Sequence, residues 1–538
     1  MSDRETLGFG KVRGFLWPIR RDELKKFIPM LMIFFLIAFN YNLLRASKDT
    51  MIVTAPSSGA EAIPFVKVWF MLPMAFVMTY LFTRLSNRHS REKVFYIMLS
   101  IFLAFFFVFT FILYPNREFL HPNQTADTLQ AFLPAGLKGL VALFRNWIFT
   151  AFYVMSELWS AMILTVLFWG FANEVTGVKE AKRFYALFGM GANISGIFAG
   201  QAVMYLSSSI FRPIIPYGNS AWDQSVLFLN CTIMLSGLGI IILFRWLNKK
   251  SIIPDEASNK GTPKEKIKTS LRNNFKYLAK SKYLLCIAAI VMAYNLGINL
   301  VEVVWKNQVK ALYPNPSDFN NYMGQIMTYM GYIATLTSFF ITGAFIRRFS
   351  WATGALVPPA IMLITGALFF SVILFPSAAA PVGMLLGSTP LMLSVMFGTM
   401  QNCMSRAAKY TLFDATKEMS FIPLSNECKL RGKAAIDGVG SRLGKSGGSL
   451  IHQVLLIAFT TISASTPIIA GIFLLVIGVW AISVFALGKQ FNTLTAQHET
   501  IDIPEEESAP TLQDEATSVQ EEEEEVVAVQ DEPVTVKS

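Results

Sequence analysis

Between Phe27 and Leu487 the chain alternates long apolar runs with short polar breaks. A helix rises 1.5 Å per residue, so about 20 apolar residues cross the ~30 Å hydrocarbon layer of a bilayer. Windows of that kind fall near 27–44, 63–82, 94–114, 140–172, 183–206, 226–247, 283–304, 322–346, 353–375, 382–405, 434–460 and 467–487. The pattern predicts an all-α polytopic membrane protein of twelve transmembrane helices. A polar, basic stretch containing KGTPKEKIK separates the sixth run from the seventh. The predicted organisation is an N-terminal arm (1–26), a six-helix half (27–247), a linker (248–282), a second six-helix half (283–487) and a tail (488–538).

The two halves carry a short internal match. The first run ends NLLRASK, Asn42 to Lys48, and the seventh ends NLVEVVW, Asn299 to Trp305. Each places a charged residue three positions after Asn, Arg45 in one and Glu302 in the other. With the six-plus-six division this points to a major-facilitator-like fold, in which a substrate site lies between the halves near the bilayer midplane. Positive charge sets the orientation. Lys11, Arg13, Arg20, Arg21, Lys25 and Lys26, then Arg84, Arg88, Arg91 and Lys93, the linker, and Arg347 with Arg348 fall on one side. STPLM and TISASTP on the other side carry no Lys or Arg. The positive-inside rule makes the basic side cytoplasmic, with both termini there.

Composition agrees with a membrane chain: 53% of the 538 residues are hydrophobic and only 15% charged, where a soluble protein carries roughly a quarter. The net charge of +10 understates the basicity of the body. From Glu499 onward there are 14 Asp/Glu against one Lys, so the rest, with 45 Lys/Arg against 22 Asp/Glu, is net +23. Such a body suits anionic lipid headgroups or an anionic substrate. Its charges are spread between apolar runs, which argues against nucleic acid. The acidic tail, with EEEEE at 521–525 and no apolar stripe, reads as solvated and disordered. Cys231, Cys286, Cys403 and Cys428 form no CxxC pair and the four histidines are scattered, so neither a metal nor another cofactor is expected.

The charges inside the apolar runs carry the functional signal. A charged side chain at the bilayer centre costs about 3 kcal/mol or more, and such residues usually line a substrate or ion path. Glu157 interrupts FYVMSELWSAMILTVLFWGF, and Glu302 follows Asn295 and Asn299 at i−7 and i−3, on roughly one helical face. The bland alternative for either glutamate is an ion pair tying helices together. Arg45 and Lys48 end the first run, while Lys433, Asp437, Ser441 and Lys445 recur every four residues beside several glycines. An ammonium or guanidinium in a cavity is a strong partner for phosphate oxygens. Snorkelling to the headgroups is the alternative for Arg45 and Lys433. GKSGG is not a nucleotide-hydrolase loop, because the position five before Gly444 is Val439 and the setting is an apolar helix. Gly196 and Gly200 in SGIFAG fit close helix packing.

ELWSAMILTVLFWGFANEVT, AKRFYALFGMGANISG, NLVEVVWK, TKEMSFIPL and GKAAIDGVGSRLGKSGGSLI together resemble the ATP/ADP translocase family of plastids and obligate intracellular bacteria, over about residues 10–490. The resemblance implies a nucleotide transporter, not an enzyme, in the lipid of a bacterial inner membrane; a monomer is the expectation, though the sequence leaves the oligomeric state open. Its substrates would be ATP and ADP, with GTP, CTP and UTP as further candidates. Four membrane charges associated with transport in that family match Lys48, Glu157, Glu302 and Lys445. The implied roles are phosphate binding for Lys48 and Lys445, with Arg45 assisting, and gating or coupling for Glu157 and Glu302. Asn295 and Asn299 are candidate polar contacts. One departure stands out: the exchangers typically read LRDTKD where this chain reads Leu44-Arg45-Ala46-Ser47-Lys48-Asp49. A proton-coupled net importer is therefore a rival to exchange, and protons or phosphate stay open as co-substrates. A symporter of another organic anion and a non-transporting receptor are the more distant alternatives.

Overall fold

The computed structural model describes residues 18–249, 281–340 and 350–497, and within them every regular element is helical. Twelve long helices follow one another: α1 Leu24–Val53, α2 Ala62–Arg88, α3 Arg91–Leu113, α4 Trp147–Val175, α5 Val178–Leu206, α6 Ala221–Lys249, α7 Lys282–Leu312, α8 Pro316–Phe340, α9 Trp351–Leu374, α10 Pro390–Ser420, α11 and α12 Ile462–Gln497. α11 runs on through Asn426–Lys433, Ala434–Gly440 and Ser441–Phe459. Local chemistry starts several of them. Ser281 accepts a hydrogen bond from the Leu284 amide and Ser350 from that of Thr353. Thr389 does the same for Met392, with Pro390 at the first helical position.

A helix stands at each of the twelve predicted places, but the count of twelve spans is not confirmed. Among the described residues nine helices are long and apolar enough to cross a bilayer, or ten if Pro376–Leu385 and α10, bent by 88°, form one span. α8 and α11 fall outside that set for legible reasons. α8 opens on polar Asn320, Asn321 and Gln325, and its predicted continuation to 346 passes beyond the described residues. α11 carries Lys433, Asp437, Arg442 and Lys445. The fourth predicted run also divides, since Asn146 breaks the backbone between Lys138–Arg145 and α4. Lys11, Arg13, Arg347, Arg348, most of the linker and nearly all of the tail lie outside the described residues.

Apolar side chains cover the outside of the bundle, among them Phe76, Val77 and Tyr80 on α2, Leu235 and Ile242 on α6, and Ile482 and Phe485 on α12. A bilayer solvates such a surface and water does not. Inside, α1 packs against α4, α5 and α6, while α7 packs against α10, α11 and α12. The first helices of the two six-helix sets thus hold equivalent places. The most extensive seam joins α5 to α8, and α2 meets α11. Small residues make the α5–α8 approach possible: a Cβ on Gly200 would lie 2.6 Å from the Gly324 carbonyl oxygen. Gly200→Leu is expected to lower the melting temperature of the purified protein by several degrees, because overpacking a seam bounded by backbone costs about 1–3 kcal/mol.

Among the described residues, the hydrogen bonds that join the first six helices to the last six lie mostly toward one end of the bundle, with Lys67 to Asn299 standing deeper, near the middle of α7. Thr50 donates to Asn320, Asn320 to Ser207, Asn321 to the Met204 carbonyl, and Gln453 to the Pro64 carbonyl. Lys310 reaches the Ser58 carbonyl. At the other end the ion pairs stay within one set: Lys26–Glu180 and Arg183–Glu23 in the first, Lys417–Asp437 and Lys433–Glu418 in the second. The bundle is therefore laced shut where α1 and α7 end.

Candidate substrate site

The buried charges form one chain across the molecule. Glu157 of α4 receives Lys48 of α1 at 2.9 Å, and Lys48 also contacts Asp49 at 2.9 Å. Asp49 is bound at 2.8 Å by Lys306 of α7, which lies 3.1 Å from Glu302 one turn earlier on the same helix. Arg406 of α10 closes the chain on Glu302 at 3.2 Å. Lys48 lies 3.9 Å above the centre of the Tyr153 ring, a cation–π contact that further fixes its ammonium. Lys48, Asp49 and Lys306 are almost completely buried, with side chains 4%, 1% and 2% exposed. Three cations thus face three carboxylates, which is how charge is tolerated away from water.

Two further cations flank this chain without a carboxylate of their own. Lys67 of α2 donates to Asn299 Oδ1 at 2.9 Å and makes no ion pair among the described residues. The charges of Glu302 and Glu157 both reach it. Arg45, half-buried one turn before Lys48, has no hydrogen bond or ion pair among the described residues. Its charge acts on Glu302, Tyr294 and Tyr410. Tyr410 is 47% exposed although Arg45, Arg406 and Lys409 act on it, and the Glu157 side chain is 30% exposed. Glu157 and Tyr410 thus border a charged region that solvent reaches, termed the chamber. Its walls are α1, α2, α4, α7 and α10, and its five cations against three carboxylates leave an excess of two positive charges.

Several chamber helices leave regular α-winding beside these groups. The wider π form occurs at Val66–Met71, which contains Lys67, at Ser160–Phe168 just after Glu157, and at Lys409–Phe413, which contains Tyr410. Such widened turns recur at functional sites because they re-aim side chains and free backbone carbonyls.

The residues singled out from sequence fall in different places. Lys48, Glu157 and Glu302 meet in one ion-pair chain, and Arg45 stands beside it. Asn299 links α2 to α11, accepting from Lys67 and donating to the Lys445 carbonyl at 3.0 Å. Asn295 donates to the Val291 carbonyl of its own helix and packs against Gly444. Lys445 is exposed, and its ammonium makes no ion pair among the described residues. Lys433 and Asp437, of the same polar stripe, are tied to Glu418 and Lys417 away from the chamber. The sequence reading misses Lys67, Lys306 and Arg406. Lys306 had a signal, four residues after Glu302, whereas Lys67 near the start of its run resembles a snorkelling cation. A separate cavity of about 160 Å³ near Tyr205 and Phe228 shares no residue with the charged chain. Its Gln224 is already bonded to the Arg212 backbone.

A polytopic helical bundle around a cationic chamber suits the passage of an anion, and comparison with known proteins supplies the lineage. The TLC ATP/ADP transporter family matches residues 2–491. The chain belongs to that family. ADP,ATP carrier protein 1 of Chlamydia pneumoniae is 46% identical over 516 residues, covering 95% of this chain and 99% of that protein. The chloroplastic ADP,ATP carrier protein 1 of Arabidopsis thaliana is 42% identical over 476 residues, 88% of this chain and 75% of the relative. Among solved structures, a D-xylose–proton symporter overlays with a TM-score of 0.48 at 12% identity, covering 89% of this chain and 99% of that one. In a member of the TLC family the interior charges fall in a multi-pass membrane transporter.

Proposed function

We propose that the chain exchanges ATP for ADP across a bacterial inner membrane by alternating access between its two six-helix sets. The observation that carries the reading is the chamber's excess of two cations, in a chain whose relatives bear the name ADP,ATP carrier protein. Polyphosphates are the anions best matched to ammonium and guanidinium groups held in a partly dry cavity. Arg45, beside the ion-pair chain, and Lys445, on α11 at the rim of the chamber next to Asn299, are the phosphate contacts reachable in this conformation. Lys48 is held by two carboxylates and joins them when Glu157 or Asp49 releases it. Glu157 and Glu302 act as gating carboxylates. The laced end faces outward and the basic end faces the cytoplasm, with both termini, so this conformation is open inward.

The test is uptake of labelled ATP into proteoliposomes loaded with ADP or with buffer, with and without an inward proton gradient. Exchange requires internal ADP and ignores the gradient. Uptake into empty vesicles that a protonophore abolishes would replace this reading with proton-coupled import. Competition by GTP, CTP and UTP in the same vesicles ranks the bases, and competition by non-nucleotide anions tests the substrate class. Because the Lys445 ammonium is exposed and unpaired, Lys445→Ala is expected to raise the KM for ATP about tenfold without lowering the melting temperature. An unchanged KM would remove Lys445 from the site.

A further inference from the structure

Lys67 and Arg45 differ from every other charge in the chamber. Lys48, Lys306 and Arg406 are matched by Asp49, Glu157 and Glu302. Lys67 has only the neutral Asn299 amide oxygen, and Arg45 has no polar partner among the described residues. Both are half-buried, unlike Lys445, which is exposed and keeps its hydration. They come from different helices, Lys67 from α2 and Arg45 from α1, one turn before Lys48. The chain itself is complete without them, so neither is needed to neutralise a carboxylate.

We propose that Lys67 and Arg45 make turnover conditional on a bound polyphosphate, because their uncompensated charge bars the empty chamber from closing at both ends. The inference rests on the exchange reading above and says what enforces it. An alternating-access carrier must pass through a conformation in which the site is cut off from water on both sides. In the open chamber, water solvates the two spare cations. On closure that water is lost, and unpaired charge in a low-dielectric interior is strongly disfavoured. A nucleoside di- or triphosphate brings the missing negative charge, so the loaded chamber closes and the empty one does not. Lys67 is well placed to sense this, since it stands on a π-wound turn and donates to Asn299, and the charges of both gating carboxylates reach it. A phosphate that engages Lys67 also competes for it with Asn299, the residue that joins α2 to α7 and α11. Loading the site thereby loosens a link between the two helix sets as it removes the charge penalty.

The experiment follows release of labelled ADP from proteoliposomes diluted into buffer with or without external ATP, with a co-trapped inert sugar reporting vesicle leakage. Wild-type protein is expected to release ADP only when ATP is outside. Lys67→Gln is expected to release it into nucleotide-free buffer at least about fivefold faster than wild type, as the barrier to empty return falls. Lys67→Arg should bring the dependence on external ATP back relative to Lys67→Gln. Arg45→Gln removes no ion pair among the described residues, so its folding does not depend on the Lys67 contacts, and it is expected to uncouple in the same direction. Release that stays strictly dependent on external ATP in both neutral variants would overturn the proposal. If wild-type vesicles show no ATP-stimulated release at all, the exchange reading itself falls, a failure visible before any variant is compared.

Discussion

Lys306→Met is expected to cut the exchange rate by about two orders of magnitude and to lower the melting temperature by roughly 10 °C. Lys306 is 2% exposed and holds Asp49, itself 1% exposed, at 2.8 Å between α7 and α1. Removing one member of this buried chain costs about 3–5 kcal/mol, because Asp49, Glu157 and Glu302 are then left in a dry site with only Lys48 and Arg406 to balance them. Asp49→Asn should cost a similar amount for the mirror-image reason. Asp49→Asn combined with Lys306→Met should recover at least half of the lost melting temperature, since both charges are then gone. The double variant stays slow in transport, because the contact between the two helix sets is missing even though the interior is neutral. Thermal melting of the four proteins gives the coupling energy directly. Additive losses would mean that the two residues do not interact in the working protein.

That pair also shows how far the sequence could be read. Apolar run length locates helices because lipid demands it, and all twelve places hold one. The internal repeat is legible in Asn42 with Asn299 and Arg45 with Glu302. Carried four residues further, the same register sets Asp49 opposite Lys306, 257 positions apart, and these equivalent residues bind each other between the two helix sets. A weak repeat therefore contained a contact, because residues related by a two-fold axis meet where they approach it. The glycines of α11 were legible for a simpler reason: Gly444 and Gly448 receive the Cβ atoms of Asn295 and Asn299. The same packing explains Asn295. Its helical face was read as open to a ligand, but α11 covers it.

Arg406 and Lys67 were not legible in the same way. Each is a charge in an apolar helix whose partners come from helices remote in sequence, and periodicity does not fix how one helix is rotated against another. The excess of chamber cations could not be counted without that rotation. Lys433 shows the converse error, since a stripe of four polar positions reads as one surface while its first two members are held at α10, by Glu418 and Lys417.

The two membrane glutamates, alike in sequence, are expected to fail differently when neutralised. Glu302 accepts from both Lys306 and Arg406, and Arg406 has no other carboxylate among the described residues. Glu302→Gln therefore strands a half-buried guanidinium, and should lower the melting temperature by several degrees and the exchange rate by about a hundredfold. Among the described residues Glu157 holds only Lys48, which keeps Asp49 when Glu157 is neutralised. Its side chain is 30% exposed, against 14% for Glu302, so it is also the carboxylate that water or a substrate can reach. Glu157→Gln should leave the melting temperature within about 2 °C of wild type while slowing exchange at least tenfold. Parallel melting and uptake measurements on the two variants separate the roles. Equal thermal losses would return Glu157 to a purely structural ion pair. A stable but slow Glu157→Gln would mean that its charge acts during turnover, where Lys48 must change partners for the chamber to open on the other side.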